Sequence, residues 1–274
     1  MNQNYSIEKL LDTALLAALA GGKILKQYWG KQLNIEEKGR IGDLVTQVDK
    51  QAEEEVLKVI KRYYPEHQIL AEESGNSGVE DSEYLWVIDP LDGTTNYAHG
   101  YPQSAVSVGL LINGVASVGV VYNPMRDELW TAGKGLGAKL NNVPIQVSNT
   151  EKLVNTLLVT GFAYDRREVT DNNYAEFCYL THLTQGVRRG GSASLDLCHV
   201  ATGRLDGYWE RGLSPWDLAA GVVIVQEAGG KVTAYDESAF ILNSGRILAT
   251  NGHIHSQLSE ALANTPHSPA FVFE

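Results

Sequence analysis

The sequence predicts a mixed fold, α+β in its first half and α/β in its second, in which two sheets share covering layers of helices. Three observations carry this reading. Helical apolar periods mark Ile7 to Leu25 and Thr46 to Tyr64, a Val-rich stretch punctuated by Asn-Gly follows, and strands alternate with helices from Leu157 onward.

Ile7, Leu10, Leu11, Ala14, Leu15, Ala18, Leu19, Gly22 and Leu25 recur at helical spacing behind Ser6, a suitable N-cap, and predict a first helix. A second is predicted over Thr46 to Tyr64. There Val48, Ala52, Val56, Val59, Ile60 and Tyr63 form one apolar stripe, and Pro65 stops it. Gln68 to Glu72 and Tyr84 to Asp89 read as short strands. Ser104 to Ile112 and Val115 to Tyr122 form a hairpin, because Asn113-Gly114 supplies the left-handed residues of a tight turn. Strand character continues over Glu128 to Leu140, broken by Gly133, Gly135 and Gly137.

In the second half, a strand at Leu157 to Thr160 precedes helices near Asn173 to Leu183 and Ser194 to Ala201, then a strand at Asp206 to Glu210. The next helix has Ser214 as N-cap and Pro215 in its first turn, and ends at Gly229-Gly230. Strands at Lys231 to Tyr235 and Arg246 to Thr250 and a last helix around Ile254 to Ala263 complete the chain. A loosely held tail is expected over 264–274. No repeat or linker divides the chain, so it reads as one domain with subdomains 1–150 and 151–263.

Composition narrows the function classes. Of 274 residues, 43% are hydrophobic and 20% charged, the balance of a globular chain with a sizeable core. Thirty-three acids against 22 bases give a net charge of −11, which disfavours direct nucleic-acid binding. No apolar run reaches the roughly 18 residues of a membrane span. The greasiest stretch, Leu10 to Leu25, follows Glu8 and contains Asp12 and Lys23, unlike a secretory leader. Cys178 and Cys198 are too few for a disulfide framework or zinc site, and two buried thiols in a cytoplasmic protein are expected.

The chemistry concentrates in Trp86-Val-Ile-Asp89-Pro-Leu-Asp92-Gly-Thr94-Thr-Asn96. An apolar strand runs into two aspartates three apart, and Pro90 bends the chain between them so that both can turn to one point. Gly93 permits close backbone approach, and Thr94 or Thr95 can open a helix whose free N–H groups suit an anion. Hard oxygen ligands beside an anion site are what magnesium-assisted phosphoryl chemistry needs. Further acids end other elements: Glu72 and Glu73 close a strand, Asp43 and Asp49 flank a helix start, and Asp217 follows Trp216. Plain alternatives stand beside these readings. Asp217 could complete a capping box with Ser214, Asp49 could serve the helix dipole, and Asp89 and Asp92 could be turn residues.

Asp89-Pro-Leu-Asp-Gly-Thr-Thr-Asn96 with Trp216-Asp-Leu-Ala-Ala-Gly221 resembles the paired signature of the inositol monophosphatase family. Asp43-Leu-Val-Thr46 with Asp49, Glu72-Glu-Ser74 and Gly191-Ser-Ala193 extend the likeness over roughly residues 6 to 263, in order and spacing. The resemblance implies a layered αβαβα sandwich of the inositol monophosphatase and fructose-1,6-bisphosphatase type, forming a single catalytic domain. It implies two or three magnesium ions: one at Glu72, Asp89 and the Leu91 carbonyl, a second among Asp89, Asp92 and Asp217, and a weaker third at Glu72 near Lys38. It also implies that Thr94, paired with Asp49, activates the attacking water, with Glu72 among the catalytic residues. Asp92 and the N–H groups of Gly93 and Thr94 would hold the phosphate, and Gly191, Ser192, Ala193 and Glu210 would line the substrate side. Thr160-Gly-Phe-Ala-Tyr-Asp-Arg166 departs from animal members and is similar to the bacterial and plastid-type branch.

The expected activity is lithium-sensitive hydrolysis of inositol 1-phosphate and related sugar or polyol monophosphates, in a homodimer without membrane or direct nucleic-acid partners. Hydrolysis of histidinol phosphate, fructose 1,6-bisphosphate or 3′-phosphoadenosine 5′-phosphate is the alternative within the fold. A regulatory binding protein is the alternative of another class. Other motifs read as structural. Gly133-Lys-Gly-Leu-Gly137 is a hairpin rather than a dinucleotide loop, and His253 with His255 is a solvated helix start rather than a metal pair. Gly190-Gly-Ser192 lacks the closing glycine of a nucleophile elbow, phospho-aspartate phosphatases space their aspartates differently, and Arg188-Arg189 reads as surface or interface rather than a phosphate clamp.

Overall fold

In the computed structural model, which describes residues 5–266, Ser6 caps α1 (Ile7–Tyr28) by accepting a hydrogen bond from the Lys9 amide. A small hairpin of β1 (Ile35–Glu37) and β2 (Leu44–Thr46) leads into α2 (Gln47–Tyr63), capped by Thr46. Residue 63 departs from the predicted stripe. Tyr63 is exposed, and Tyr64, just past the helix end, turns inward instead.

The first sheet comprises β3 (Gln68–Ala71), β4 (Gly75–Ser77), β5 (Tyr84–Asp92), β6 (Ala105–Ile112), β7 (Val115–Asn123), β8 (Glu128–Gly133), β9 (Gly137–Leu140) and β10 (Val143–Pro144), with α3 (Thr94–Ala98) between β5 and β6. Its order is β10-β9-β8-β7-β6-β5-β3-β4, and only β3 and β5 run parallel. The turns at Asn113-Gly114 and over Gly133–Gly137 are hairpins, as the glycine pattern predicts.

The second sheet takes β11 (Leu157–Thr160), β12 (Gly186–Arg189), β13 (Gly207–Arg211), β14 (Lys231–Thr233) and β15 (Arg246–Thr250), in the order β12-β11-β13-β15-β14. Four helices accompany it: α4 (Tyr174–Leu183), α5 (Ala193–Ala201), α6 (Pro215–Glu227) and α7 (His255–Ala263). Strand β12 is absent from the sequence-based reading. It holds Arg188 and Arg189 on the edge of the sheet, both exposed.

Three apolar clusters define five layers. Leu10, Val56, Trp86 and Val108 pack α1 and α2 on one face of the first sheet. Trp130, Leu197, Ile224 and Tyr208 fill the space between the two sheets around α5 and α6. Leu158, Trp209, Leu180 and Leu258 lie between the second sheet and α4 and α7. The result is the αβαβα sandwich.

The central layer is tight. A Cβ on Gly119 would lie 2.3 Å from the Ala220 carbonyl oxygen of α6, and one on Gly109 would lie 2.7 Å from the Ala219 Cβ. Because the obstacle at Gly119 is backbone, Gly119→Ala should cost at least the 1–3 kcal/mol typical of overpacking, about 3 °C or more in Tm. A melting curve unchanged from the parent would contradict this packing.

Cys178 and His255 differ in burial from the expectation. Cys178 is exposed on α4, while Cys198 is buried. His255 is not solvated. It is buried with its ring nitrogens 2.8 Å from Thr233 Oγ1 and Thr250 Oγ1, because α7 starts against the second sheet; His253 is exposed. Thr265 is tucked against α7 through its hydroxyl and the Ala261 carbonyl, and residues 267–274 lie outside the described part.

His67 is sandwiched between Tyr64 and Tyr84 at 4.5 and 4.4 Å, and its Nδ1 accepts from Trp86 Nε1 at 3.0 Å. Burial pushes its pKa down to about 4. The unfolded chain therefore binds a proton that the folded chain refuses. His67 contributes its full stability above the unfolded value near pH 6.5, and loses it as pH falls towards 4. His67→Phe keeps the stack but strands the Trp86 donor, so it should be less stable at pH 7.5 by about 1–3 kcal/mol. That gap should narrow between pH 6.5 and 4, and a pH-independent gap in denaturant melts would contradict the assignment.

Candidate active site

The site forms where the ends of β3 and β5 meet the starts of α2, α3, α5 and α6. Parallel pairing of Ala71 with Ile88 carries the chain on to Glu72 beside Asp89. Pro90 has no N–H to give the β5–β6 ladder, and the register slips between Asp89 and Asp92. That bulge turns both aspartates inward, as the sequence suggests. Asp89, Asp92 and Asp217 each place a carboxylate oxygen within 4.8 Å of the others.

Each acid is held by its own element. The Leu91 amide donates to Asp89 Oδ1 at 2.9 Å. Asp92 Oδ2 accepts from Ser192 Oγ, the Ser194 amide and Ser194 Oγ at 2.6, 2.8 and 2.5 Å, which fastens the first sheet to the start of α5. Asp217 Oδ2 accepts from the Ser214 amide at 2.6 Å in a capping box. The capping alternative for Asp217 is thus realised together with its place in the cluster. The same holds for Asp49. Its Oδ2 accepts from the Thr46 amide and hydroxyl at 2.8 and 2.6 Å, while its Oδ1 accepts from Thr94 Oγ1 at 2.9 Å. The Leu91 carbonyl lies 3.0 Å from the same Thr94 hydroxyl.

Burial, then repulsion from Glu72, Asp92 and Asp217, holds the Asp89 pKa well above the ordinary carboxylate range. Burial, then Asp92 and Glu72, does the same to Asp217. Glu72 is pushed up to about 7 by burial, against the pull of Lys38. Lys38 Nζ donates to Glu72 Oε1 at 2.9 Å and to Glu73, so the lysine meets the site through the acids after β3. Buried acids this close repel unless protonated or neutralised by a cation, and all of their donors are hard oxygens. The set fits a hard divalent ion.

Gly93 joins strand to helix in the left-handed region at φ 87°, where a Cβ would lie 2.8 Å from the Gln103 carbonyl oxygen. Asn96 then reaches across, donating to the Gly190 and Gly191 carbonyls at 3.0 and 3.2 Å. A compartment of about 230 Å³ lies over Glu72, Asp89, Thr94 and Asp217. It adjoins one of about 420 Å³ lined by Gly191, Ser192, Ala193 and Glu210, with Asp92, Gly93 and Asp217 lining both. The Ser192 hydroxyl is committed to Asp92. Glu210 accepts from Tyr208 at 2.7 Å, and burial pushes its pKa up to about 7.

Two residues escaped the sequence reading. Glu53, on the buried face of α2, accepts from the Glu73 amide at 2.9 Å and steadies the chain after β3. Asp196 is buried beside Gly190. An acid at an otherwise apolar helical position was the only available signal for Glu53, and Asp196 had none. Arg189, which the sequence places at a surface or interface, lines the larger compartment.

A sequence profile of the inositol monophosphatase family matches residues 6–267. An inositol-1-monophosphatase from Synechocystis is 63% identical over 260 residues, covering 95% of this chain and 91% of that protein. A Nus factor SuhB from Pseudomonas aeruginosa is 42% identical over 272 residues, covering 96% and 98%. The solved structure of an inositol monophosphatase from Anabaena aligns at a TM-score of 0.88 with 59% identity, covering 96% of this chain and 98% of that one.

Proposed function

The chain belongs to the inositol monophosphatase family, metal-dependent phosphatases, and from that premise we propose that it hydrolyses inositol 1-phosphate to myo-inositol and phosphate with magnesium. The observation that carries the reading is the convergence of Asp89, Asp92 and Asp217 beside the Thr94–Asp49 pair. Glu72, Asp89, the Leu91 carbonyl, Asp92 and Asp217 would hold two or three ions. Bound there, magnesium supplies the positive charge that activates water and stabilises the departing oxygen.

The chain's own groups do the rest. Thr94 Oγ1 takes a proton from the attacking water as its own passes to Asp49 Oδ1, whose burial raises its affinity for that proton. The Gly93 and Thr94 amides orient the phosphate oxygens, and the departing alkoxide takes its proton from a water beside Asp92, the hydroxide so formed taking back the proton held by Asp49. The polyol lies in the larger compartment, where Glu210 accepts from its hydroxyls and Gly191, Ser192 and Ala193 form a wall. Lithium inhibition, a homodimer and a cytoplasmic location complete the proposal. Among the described residues no helix is long and apolar enough to cross a membrane.

Turnover on inositol 1-phosphate, histidinol phosphate, fructose 1,6-bisphosphate and 3′-phosphoadenosine 5′-phosphate tests the substrate. The first should have the highest kcat/KM, and preference for another would move the assignment within the fold. The match to a protein named Nus factor SuhB over 96% of the chain supports a second reading, a regulatory binding role beside hydrolysis. A pull-down that returns no partner would remove it.

A further inference from the structure

Residues 161–173, between β11 and α4, are pinned at three points. Asn173 Nδ2 donates to Thr160 Oγ1 and to the Gly161 carbonyl, both at 2.7 Å, while its Oδ1 accepts from Trp209 Nε1 at 2.7 Å. Ala163 lies against Gly212, where a Cβ would come within 2.5 Å of the Ala163 Cβ. Asp165 is gripped by Arg211 through two parallel bonds of 2.6 and 2.9 Å, and Arg211 directly follows Glu210 on β13. A bidentate pair sets orientation as well as distance.

Tyr164 sits between the Ala163 and Asp165 anchors. It lines both compartments of the site, and 43% of its surface is open to them and to solvent. Beside Tyr164 the larger compartment is lined by Phe162, Ala193 and Leu213 as well as by Asp92, Glu210 and Asp217. Apolar surface left open there costs hydration free energy, and a ligand face of matching polarity would recover it. A cyclic polyol has such a face: its hydroxyls project mainly around the rim, and its C–H bonds lie across the ring. Polar groups such as Glu210 suit the rim, and an aromatic ring suits the face.

We propose that Tyr164 is the specificity-determining wall of this site, its ring packing on the C–H face of a cyclic polyol phosphate, and that the Asp165–Arg211 pair is the positioning element that holds it there. The proposal deepens the phosphatase reading and rests on it. It selects cyclic over acyclic polyol phosphates.

The test measures kcat/KM for myo-inositol 1-phosphate and for glycerol 2-phosphate, with magnesium, in the parent, Tyr164→Ala, Tyr164→Phe and Asp165→Asn. The ring-to-acyclic ratio should fall about tenfold in Tyr164→Ala, chiefly through KM for the ring substrate. It should stay within about twofold of the parent in Tyr164→Phe, which keeps the ring face. It should fall in the same direction, by less, in Asp165→Asn. A merely structural role would lower both substrates together and leave the ratio unmoved, which would overturn the proposal. A loss in Tyr164→Phe equal to that in Tyr164→Ala would overturn it too, in favour of the hydroxyl. If the parent hydrolyses neither ester, the phosphatase reading itself fails, and the proposal falls with it.

Discussion

Asp217→Asn is expected to lower turnover at saturating magnesium by roughly 10²-fold or more while leaving the metal-free fold at least as stable as the parent. The carboxylate has two tasks in one place. Its Oδ2 closes the capping box with Ser214, and the group also completes the cluster with Asp89 and Asp92. An amide oxygen can still accept from the Ser214 amide, so little of the roughly 1 kcal/mol value of a cap should be lost. The charge, however, is gone. Burial and repulsion from Asp92 and Glu72 make that charge costly without a cation, and its removal relieves Asp89 and Asp92. With magnesium the sign reverses. The variant lacks one negative oxygen for the ion, so magnesium should raise its Tm less than it raises the parent's. A variant that melts earlier yet turns over at near-parental rate would remove Asp217 from the metal site.

Thr94→Val should lower kcat by about 10²–10⁴-fold, the usual range for a lost general-base step. Valine matches threonine in shape but has no hydroxyl to relay a proton to Asp49. It also leaves Asp49 Oδ1 without its 2.9 Å donor, at a cost of about 1–3 kcal/mol in stability. Thr94→Ser restores the hydroxyl and should recover most of the rate, whereas a purely architectural role would let valine serve nearly as well. Near-parental kcat in Thr94→Val would dismiss the relay.

Much of this site was legible because its acids terminate recognisable elements. Asp89, Pro90 and Asp92 announce a strand that must bend, and Ser214, Pro215 and Asp217 announce a helix start. Sequence alone left capping and metal binding as rivals for Asp217, and a helix-dipole role and a partnership with Thr94 as rivals for Asp49. The fold places each carboxylate in a capping box and, at once, beside Asp89 and Asp92 or against the Thr94 hydroxyl. What stayed hidden depends on distant partners. Nothing near Asp92 reveals that Ser192 and Ser194, a hundred residues away, donate to it. Strand β12 is too short and too basic to stand out, and becomes a strand by pairing with β11. His255 looked like a solvated helix start because its Thr233 and Thr250 partners belong to strands of the second sheet. At the end of α2 it is Tyr64, the residue after the last helical one, that turns inward in place of Tyr63.

Asp89, Asp92 and Asp217 are expected to hold a divalent cation where the phosphate ester is hydrolysed. An anomalous difference map from crystals grown with manganese in place of magnesium tests it most directly. The expected map has its strongest peak among these three carboxylates, next to Thr94. Crystals of metal-activated protein with no peak there, or with the ion held elsewhere, would contradict the account.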